Sequence, residues 1–205
     1  WEIELSEAIR DAVLPGDICF DIGSYRGFFA GVMGAAGASR VHCFEPMPSN
    51  LEKLDELKTL NPGLPVEVHA VAVGGKDDEE DFVVMAEATM GKLATSSFQP
   101  DADHRGTVKV KVARIDTLIA SAHLPEPHVI KIDVEGAELD VLCGAESLLT
   151  TTKSVLFLEA HTRKLARACT KKLEQFGYSV SVLETKANVA TDSPTGACHL
   201  IARRS

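Results

Sequence analysis

Three short apolar runs alternate with two helix-period segments over the first third of the chain. Ile18-Cys19-Phe20-Asp21-Ile22 reads as a strand closing on Gly23, Gly27 to Ala36 as a helix of small residues, and Arg40 to Phe44 as a second strand. Pro48 to Leu60 reads as an amphipathic helix with Leu51, Leu54, Leu57 and Leu60 on one stripe, and Val66 to Val73 as a third strand. Asn61-Pro62-Gly63 separates the last two by turn chemistry. These strands are continuously apolar, so both their faces must be covered. A βαβαβ order of this kind predicts a parallel, doubly wound α/β sheet.

The rest of the chain continues the pattern less regularly. Asp81 to Met85 and Thr107 to Ala113 read as strands, and Asp116 as the N-cap of a short helix through Ala122. Val129 to Val134 is a buried strand, Ala137 to Leu149 a helix with Leu139, Leu142 and Leu149 inward, and Ser154 to Leu158 a strand. Arg163 to Phe176 is a helix, and Tyr178 to Leu183 and Ala197 to Ala202 close the chain as strands. At 205 residues and 45% hydrophobic, residues 1–205 are expected to form a single domain with its own core. Residues 86–107, rich in Gly, Ser, Thr and Asp, are long for a plain connection and are the expected substrate loop.

Several partner classes are disfavoured. A net charge of −9 argues against nucleic acid, which needs clustered Lys and Arg, and the basic stretch Arg163 to Lys172 reads as a solvated helix face. No apolar run approaches the ~20 residues of a membrane span. Trp1-Glu2-Ile3-Glu4-Leu5 lacks the basic-then-apolar pattern of a signal peptide, and a start at Trp rather than Met suggests a trimmed chain. The five cysteines form no CxxC, and Cys19, Cys43 and Cys198 sit in apolar runs, so a reduced, cytoplasmic setting is expected. Homo-oligomerisation is left open.

The strongest local signal is Asp21-Ile22-Gly23-Ser24-Tyr25-Arg26-Gly27. A strand delivers the chain to a glycine turn and a helix follows, so a ligand can approach the backbone at a helix N-terminus. Roughly 20 residues further on, Glu45 ends the second strand, where a carboxylate can accept both hydroxyls of a ribose. The spacing is Gly23-x-x-x-Gly27 rather than the G-x-G-x-x-G of dinucleotide sites. Asp21 suits a ligand bearing an ammonium and a sulfonium and repels a pyrophosphate, which favours S-adenosyl-L-methionine over NAD. An NAD(P)-dependent oxidoreductase is the rival reading; a non-catalytic nucleoside-binding module is the third, disfavoured by intact acids at Asp21, Glu45, Asp133 and Glu135.

Two further groups lie at later strand ends. In Lys131-Ile132-Asp133-Val134-Glu135-Gly136-Ala137-Glu138, Asp133 and Glu135 point the same way if the strand continues, and could bind a metal, orient a hydroxyl or act as a base. Glu138 reads as a helix-dipole residue, and Lys131 as the partner of a carboxylate rather than a nucleophile. In Phe157-Leu158-Glu159-Ala160-His161, a neutral His161 beside Asp133 could take a proton from a hydroxyl.

With these stretches, together with Phe44-Glu45-Pro46-Met47-Pro48-Ser49-Asn50, Ala70-Val71-Ala72-Val73-Gly74 and Arg114-Ile115-Asp116-Thr117-Leu118, the chain resembles the FkbM-type methyltransferases of the class I S-adenosylmethionine-dependent superfamily, from about Leu14 to Arg203. The resemblance implies a Rossmann-like seven-stranded sheet, mostly parallel with an antiparallel last strand, and methylation of a hydroxyl on a small molecule such as a sugar or polyketide. It implies that Asp21 and Gly23, with Ser24, Tyr25 and Gly27 in the same loop, hold the methionine end of the cofactor. Glu45 would hold the ribose, Pro46 and Met47 would flank the adenosine, His69 to Val71 would lie near the adenine, and Asp133 and Glu135 would face the methyl group. One departure is Tyr25, where members often carry a small residue or Asn that tolerates positive φ. The expected base is His161 or Asp133. A divalent metal such as magnesium could replace it, with Asp133, Glu135 and Glu159 as candidate ligands.

Overall fold

A computed structural model describes residues 2–85, 91–93, 104–185 and 197–204 of the chain. The elements run α1 (Ile3–Ala12), β1 (Ile18–Ile22), α2 (Phe28–Ala35), β2 (Arg40–Phe44), α3 (Pro48–Leu60), β3 (Val66–His69), β4 (Ala72–Val73), β5 (Asp78–Met85), β6 (Gly91–Leu93) and β7 (His104–Ala113). They continue α4 (Ile115–Ala122), β8 (Val129–Ile132), α5 (Glu138–Cys143), α6 (Glu146–Thr151), β9 (Val155–Ala160), α7 (Arg163–Gln175), β10 (Ser179–Val182) and β11 (Cys198–Arg203).

The main sheet has seven strands in the order β10-β11-β9-β8-β1-β2-β3. β3, β2, β1, β8 and β9 are mutually parallel, and β11 pairs antiparallel with β9 and β10. The Rossmann-like, doubly wound expectation with an antiparallel last strand therefore holds. Strands with apolar residues on both faces lead to this arrangement because each face meets its own helical layer. Phe20, Ile22, Phe44, Ile130, Ile132, Leu156 and Leu158 face Val141, Leu142, Leu149 and Leu173 of α5, α6 and α7. Cys19, Val41, Cys43, Val129 and Phe157 face Leu5, Ile9, Met33 and Leu54 of α1, α2 and α3. Each fully enclosed side chain of this size contributes about 1.5–3 kcal/mol relative to exposure. Among the described residues all five cysteines are unpaired, and no helix is long and apolar enough to cross a membrane.

The structure departs from the sequence reading at four points. The expected third strand is two: the chain turns at 70–71 and β4 joins a separate four-stranded sheet, β4-β7-β5-β6. The expected helix 137–149 is two, parted at Gly144 and Ala145, and at Gly144 a Cβ would stand 2.1 Å from the Gly74 carbonyl oxygen, so only glycine fits. Arg114, not Asp116, flanks α4; the Asp116 carboxylate instead accepts the Ser147 and Leu148 N–H groups at 2.9 and 3.1 Å, satisfying the start of α6. In α3 only Leu54 of the leucine stripe is fully buried, while Leu60 is 72% exposed. Of the expected loop 86–107, residues 91–93 form β6 and residues 104–107 belong to β7; the others, Thr95, Ser96 and Ser97 included, lie outside the described residues.

Candidate active site

The parallel strands β1, β2 and β8 all deliver their carboxyl ends to one edge of the sheet, the place where open α/β sheets leave a crevice. At the end of β1 the chain turns at Gly23, φ 77°, so close to β8 that a Cβ would lie 1.7 Å from the Asp133 carbonyl oxygen. Only glycine fits, on grounds of both conformation and space. The Gly23 and Ser24 N–H groups donate to the Phe44 carbonyl at 3.0 and 3.2 Å, and the Ser24 hydroxyl donates to the Asp21 carbonyl at 2.6 Å. Tyr25 sits in the left-handed region, φ 53°, so the turn takes the positive φ despite its bulky residue. The Tyr25 N–H donates to Glu45 Oε2 at 2.9 Å and the Met47 N–H to Glu45 Oε1 at 2.9 Å. Glu45, 4% exposed, thus ties the two loops together. Burial pushes its carboxyl upward, against hydrogen bonds from Met47, Asn50 and Tyr25 that favour the anion.

These loops open on a cleft of about 370 Å³. Its walls are Phe28, Phe44, Met47, Ala72, Val73, Phe82 and Leu93 on the apolar side, and Glu2, Glu45, Lys131, Asp133, Glu135 and Glu159 among the polar groups. Gly23, Ser24, Tyr25, Pro46, Asp133 and Glu135 all line it as expected. Asp21, Gly27, the segment 69–71 and His161 do not. Asp21 is fully enclosed beneath the turn and faces Lys131, its Oδ1 3.7 Å from the Nζ. Gly27 starts α2 in a left-handed conformation beneath Leu54 and Leu57. Val71 is buried with Phe44 and Val73, because the turn at 70–71 presents Ala72 and Val73 to the cleft instead.

Lys131 is paired, as expected, with Asp133 at 3.4 Å as well as Asp21, and donates to the Gly23 carbonyl at 3.2 Å. Burial works against the ammonium, but Asp133 and Asp21 outweigh it and hold Lys131 charged above its usual range. Asp21 is pushed upward by burial, with Lys131 opposing. Beyond β8 the strand does not continue: Glu135 adopts φ 53°, and Glu138 turns inward, fully buried, to accept the Val134 and Gly136 N–H groups at 3.0 and 3.1 Å. Glu138 therefore fastens this turn rather than merely answering a helix dipole.

His161 is not on the cleft wall. Its Nε2 lies 3.2 Å from Glu135, 3.8 Å from Asp133 and 3.8 Å from Glu159, and its Nδ1 lies 3.5 Å from Glu138. Burial disfavours its charge, yet Glu135 and Glu138 raise its pKa to about 11. These carboxylates favour the protonated imidazole, a form with no lone pair for a substrate proton. Asp133, Glu135 and His161 are close enough to share an ion, but an imidazole in that set departs from the all-oxygen shell that magnesium takes. Glu159 is different: burial and Asp133 push it up to about 7, and it lines the cleft.

Sequence reasoning missed Glu2, Phe28, Phe82 and Leu93. Glu2 precedes α1, Phe28 opens α2 and the last two come from the second sheet, and no local motif marks them; only packing brings them to this edge.

The fold is shared with solved methyltransferase structures at low identity. The FkbM methyltransferase of Methylobacillus flagellatus KT superposes with a TM-score of 0.62 at 19% identity, covering 96% of this chain and 50% of that one. This chain thus spans half the length of that protein. The SMU.1697c protein of Streptococcus mutans, solved in complex with SAH, superposes with a TM-score of 0.60 at 11% identity over 100% of this chain and 98% of that one. Residues 21–180 match the methyltransferase FkbM domain, and the chain belongs to that family of methyltransferases. A relative is the hexuronic acid methyltransferase AglP of Haloferax volcanii, 29% identical over 194 residues, which cover 94% of this chain and 73% of AglP.

Proposed function

We propose that the protein transfers a methyl group from S-adenosyl-L-methionine to a hydroxyl of a small molecule, a sugar being the class the AglP likeness supports. The observation that carries this reading is the two-ended cleft, with Glu45 held by two backbone N–H groups and an acidic cluster farther along. The donor set fits the cofactor. Beyond the hydrogen bonds from Tyr25, Met47 and Asn50, the Glu45 carboxylate keeps lone-pair capacity for a ribose hydroxyl, Phe44 and Met47 offer apolar surface to an adenine, and Asp133 offers an anion to the methionine ammonium. The buried Asp21 acts through Lys131, fixing the charge on which Asp133 rests. The bound cofactor supplies an electrophilic methyl carbon.

The chain's own residues then orient the acceptor and take its proton. Glu159, with a pKa near neutrality and a place on the wall, is the base we favour over His161. His161 holds Asp133, Glu135 and Glu159 in place as their shared cation. Among the described residues the acceptor end carries Glu2, Asp133, Glu135 and Glu159 against the paired Lys131, so a neutral sugar hydroxyl fits better than a uronate bearing its own carboxylate. Calorimetric titration with S-adenosyl-L-methionine and S-adenosylhomocysteine, with and without magnesium, tests the reading. Micromolar binding, on the order of −8 kcal/mol and independent of magnesium, is expected. No binding by folded protein, or binding of NADH instead, overturns it.

A further inference from the structure

Away from the cleft, on the edge of the main sheet, three ligand-type side chains converge. His42 of β2 lies across from Glu67 of β3, and His69 stands two residues beyond Glu67 on the same face. The His42 Nδ1 is 2.9 Å from the His69 Nε2 and 3.6 Å from the Glu67 Oε2. Contact between two imidazole nitrogens at that distance requires one of them to present a lone pair. The arrangement is held from all sides. The His42 ring packs edge-on against Phe20, and the His69 ring stacks on Phe44 at 4.9 Å. Arg40 takes the other Glu67 oxygen at 3.1 Å, turning Oε2 toward the histidines. The His42 Nε2 is enclosed with no partner among the described residues, so Nδ1 is that ring's available ligating atom.

We propose that His42, Glu67 and His69 form a site for a divalent transition-metal ion, zinc in particular, that clamps the edge strand β3 to β2. Two imidazoles and one carboxylate with a fourth position left to water is a zinc donor set. Zinc–nitrogen bonds of about 2.0–2.1 Å in tetrahedral geometry place two ligand nitrogens about 3.3 Å apart. The 2.9 Å pair would have to open by only a few tenths of an ångström to admit the ion. Glu67, half exposed, is the entrance, and the ion would stand one ring away from Phe44 in the cleft wall. The site is separate from the proposed methyl transfer and does not depend on it.

The test is zinc titration of chelator-stripped protein by calorimetry, with cobalt substitution followed by absorption and histidine-selective NMR. One zinc per chain at micromolar affinity or tighter is expected, with tetrahedral cobalt bands and shifts in the His42 and His69 ring signals. Glu67→Gln and His69→Gln are each expected to weaken binding at least tenfold and to abolish the zinc-dependent rise in melting temperature. Melting curves without zinc establish that these variants fold; His42→Gln, at a buried position, is a secondary check. The clusters around His161 and His199 are the competing places for an ion, so Asp133→Asn and His199→Gln are expected to leave zinc affinity within twofold. No saturable zinc binding, or binding that survives Glu67→Gln and His69→Gln, overturns the proposal.

Discussion

Glu45 shows how one side chain can serve two roles. It joins the loops after β1 and β2 through the Tyr25 and Met47 N–H groups, and it is the proposed partner of the cofactor ribose. Hydrogen bonds to a charged group are worth about 1.5–3 kcal/mol, so Glu45→Ala is expected to weaken S-adenosyl-L-methionine binding by roughly 10- to 150-fold. Calorimetry decides this, and unchanged affinity removes the ribose assignment. Glu159 makes a second prediction. With its carboxyl pushed up to about 7 by burial and Asp133, kcat/KM is expected to rise with pH until Glu159 is ionised near neutrality and then level off. Glu159→Gln is expected to lose activity while still binding cofactor; a wild-type profile flat through neutrality excludes Glu159 as the base. The motif residues Gly23 and Glu45 were legible because short strand-to-helix turns place them locally. The surroundings of His161 were not, because they depend on Glu135 and Glu138, which only the folded turn brings to the ring.

Among the elements, those with strong periodic patterns stand where the sequence puts them. β1, β2 and α3 match residue for residue, and Pro48 opens α3 at a position where its missing N–H costs nothing. The breaks lie where another element intrudes. Gly144, between α5 and α6, is where the Gly74 carbonyl passes so close that a Cβ would lie 2.1 Å from it, and Gly144→Ala is expected to lower unfolding free energy by about 1–3 kcal/mol, read by urea denaturation. A stability equal to wild type would show that this contact yields without cost. Asp116→Ala is expected to cost about 1 kcal/mol in the same assay, the magnitude of a lost helix cap. The cap belongs to α6, whose first N–H groups the carboxylate satisfies from a different helix. That pairing spans about thirty residues, a distance at which capping signals in sequence have no reach.

For the molecule as a whole, the buried charge network around His161 links stability to pH. The folded pKa of His161 is about 11, against an ordinary value of 6.5. Its contribution is therefore fully present below about pH 6.5 and is lost progressively as pH rises toward 11. Denaturation midpoints are expected to fall across the alkaline range in the wild type and to fall less in His161→Gln; parallel slopes refute the coupling. The sequence by itself determined the doubly wound sheet, the order of its central elements and the loop that opens on the cleft. Those follow from periodicity, turn chemistry and spacing within short stretches of chain. Only the tertiary structure decided that the expected third strand divides between two sheets, that Phe82 and Leu93 wall the cleft, that Asp21 lies beneath it and that His161 sits against Glu135 and Glu138. Each of these depends on which distant residues share a volume, and packing and electrostatics between distant residues are not written in any local pattern.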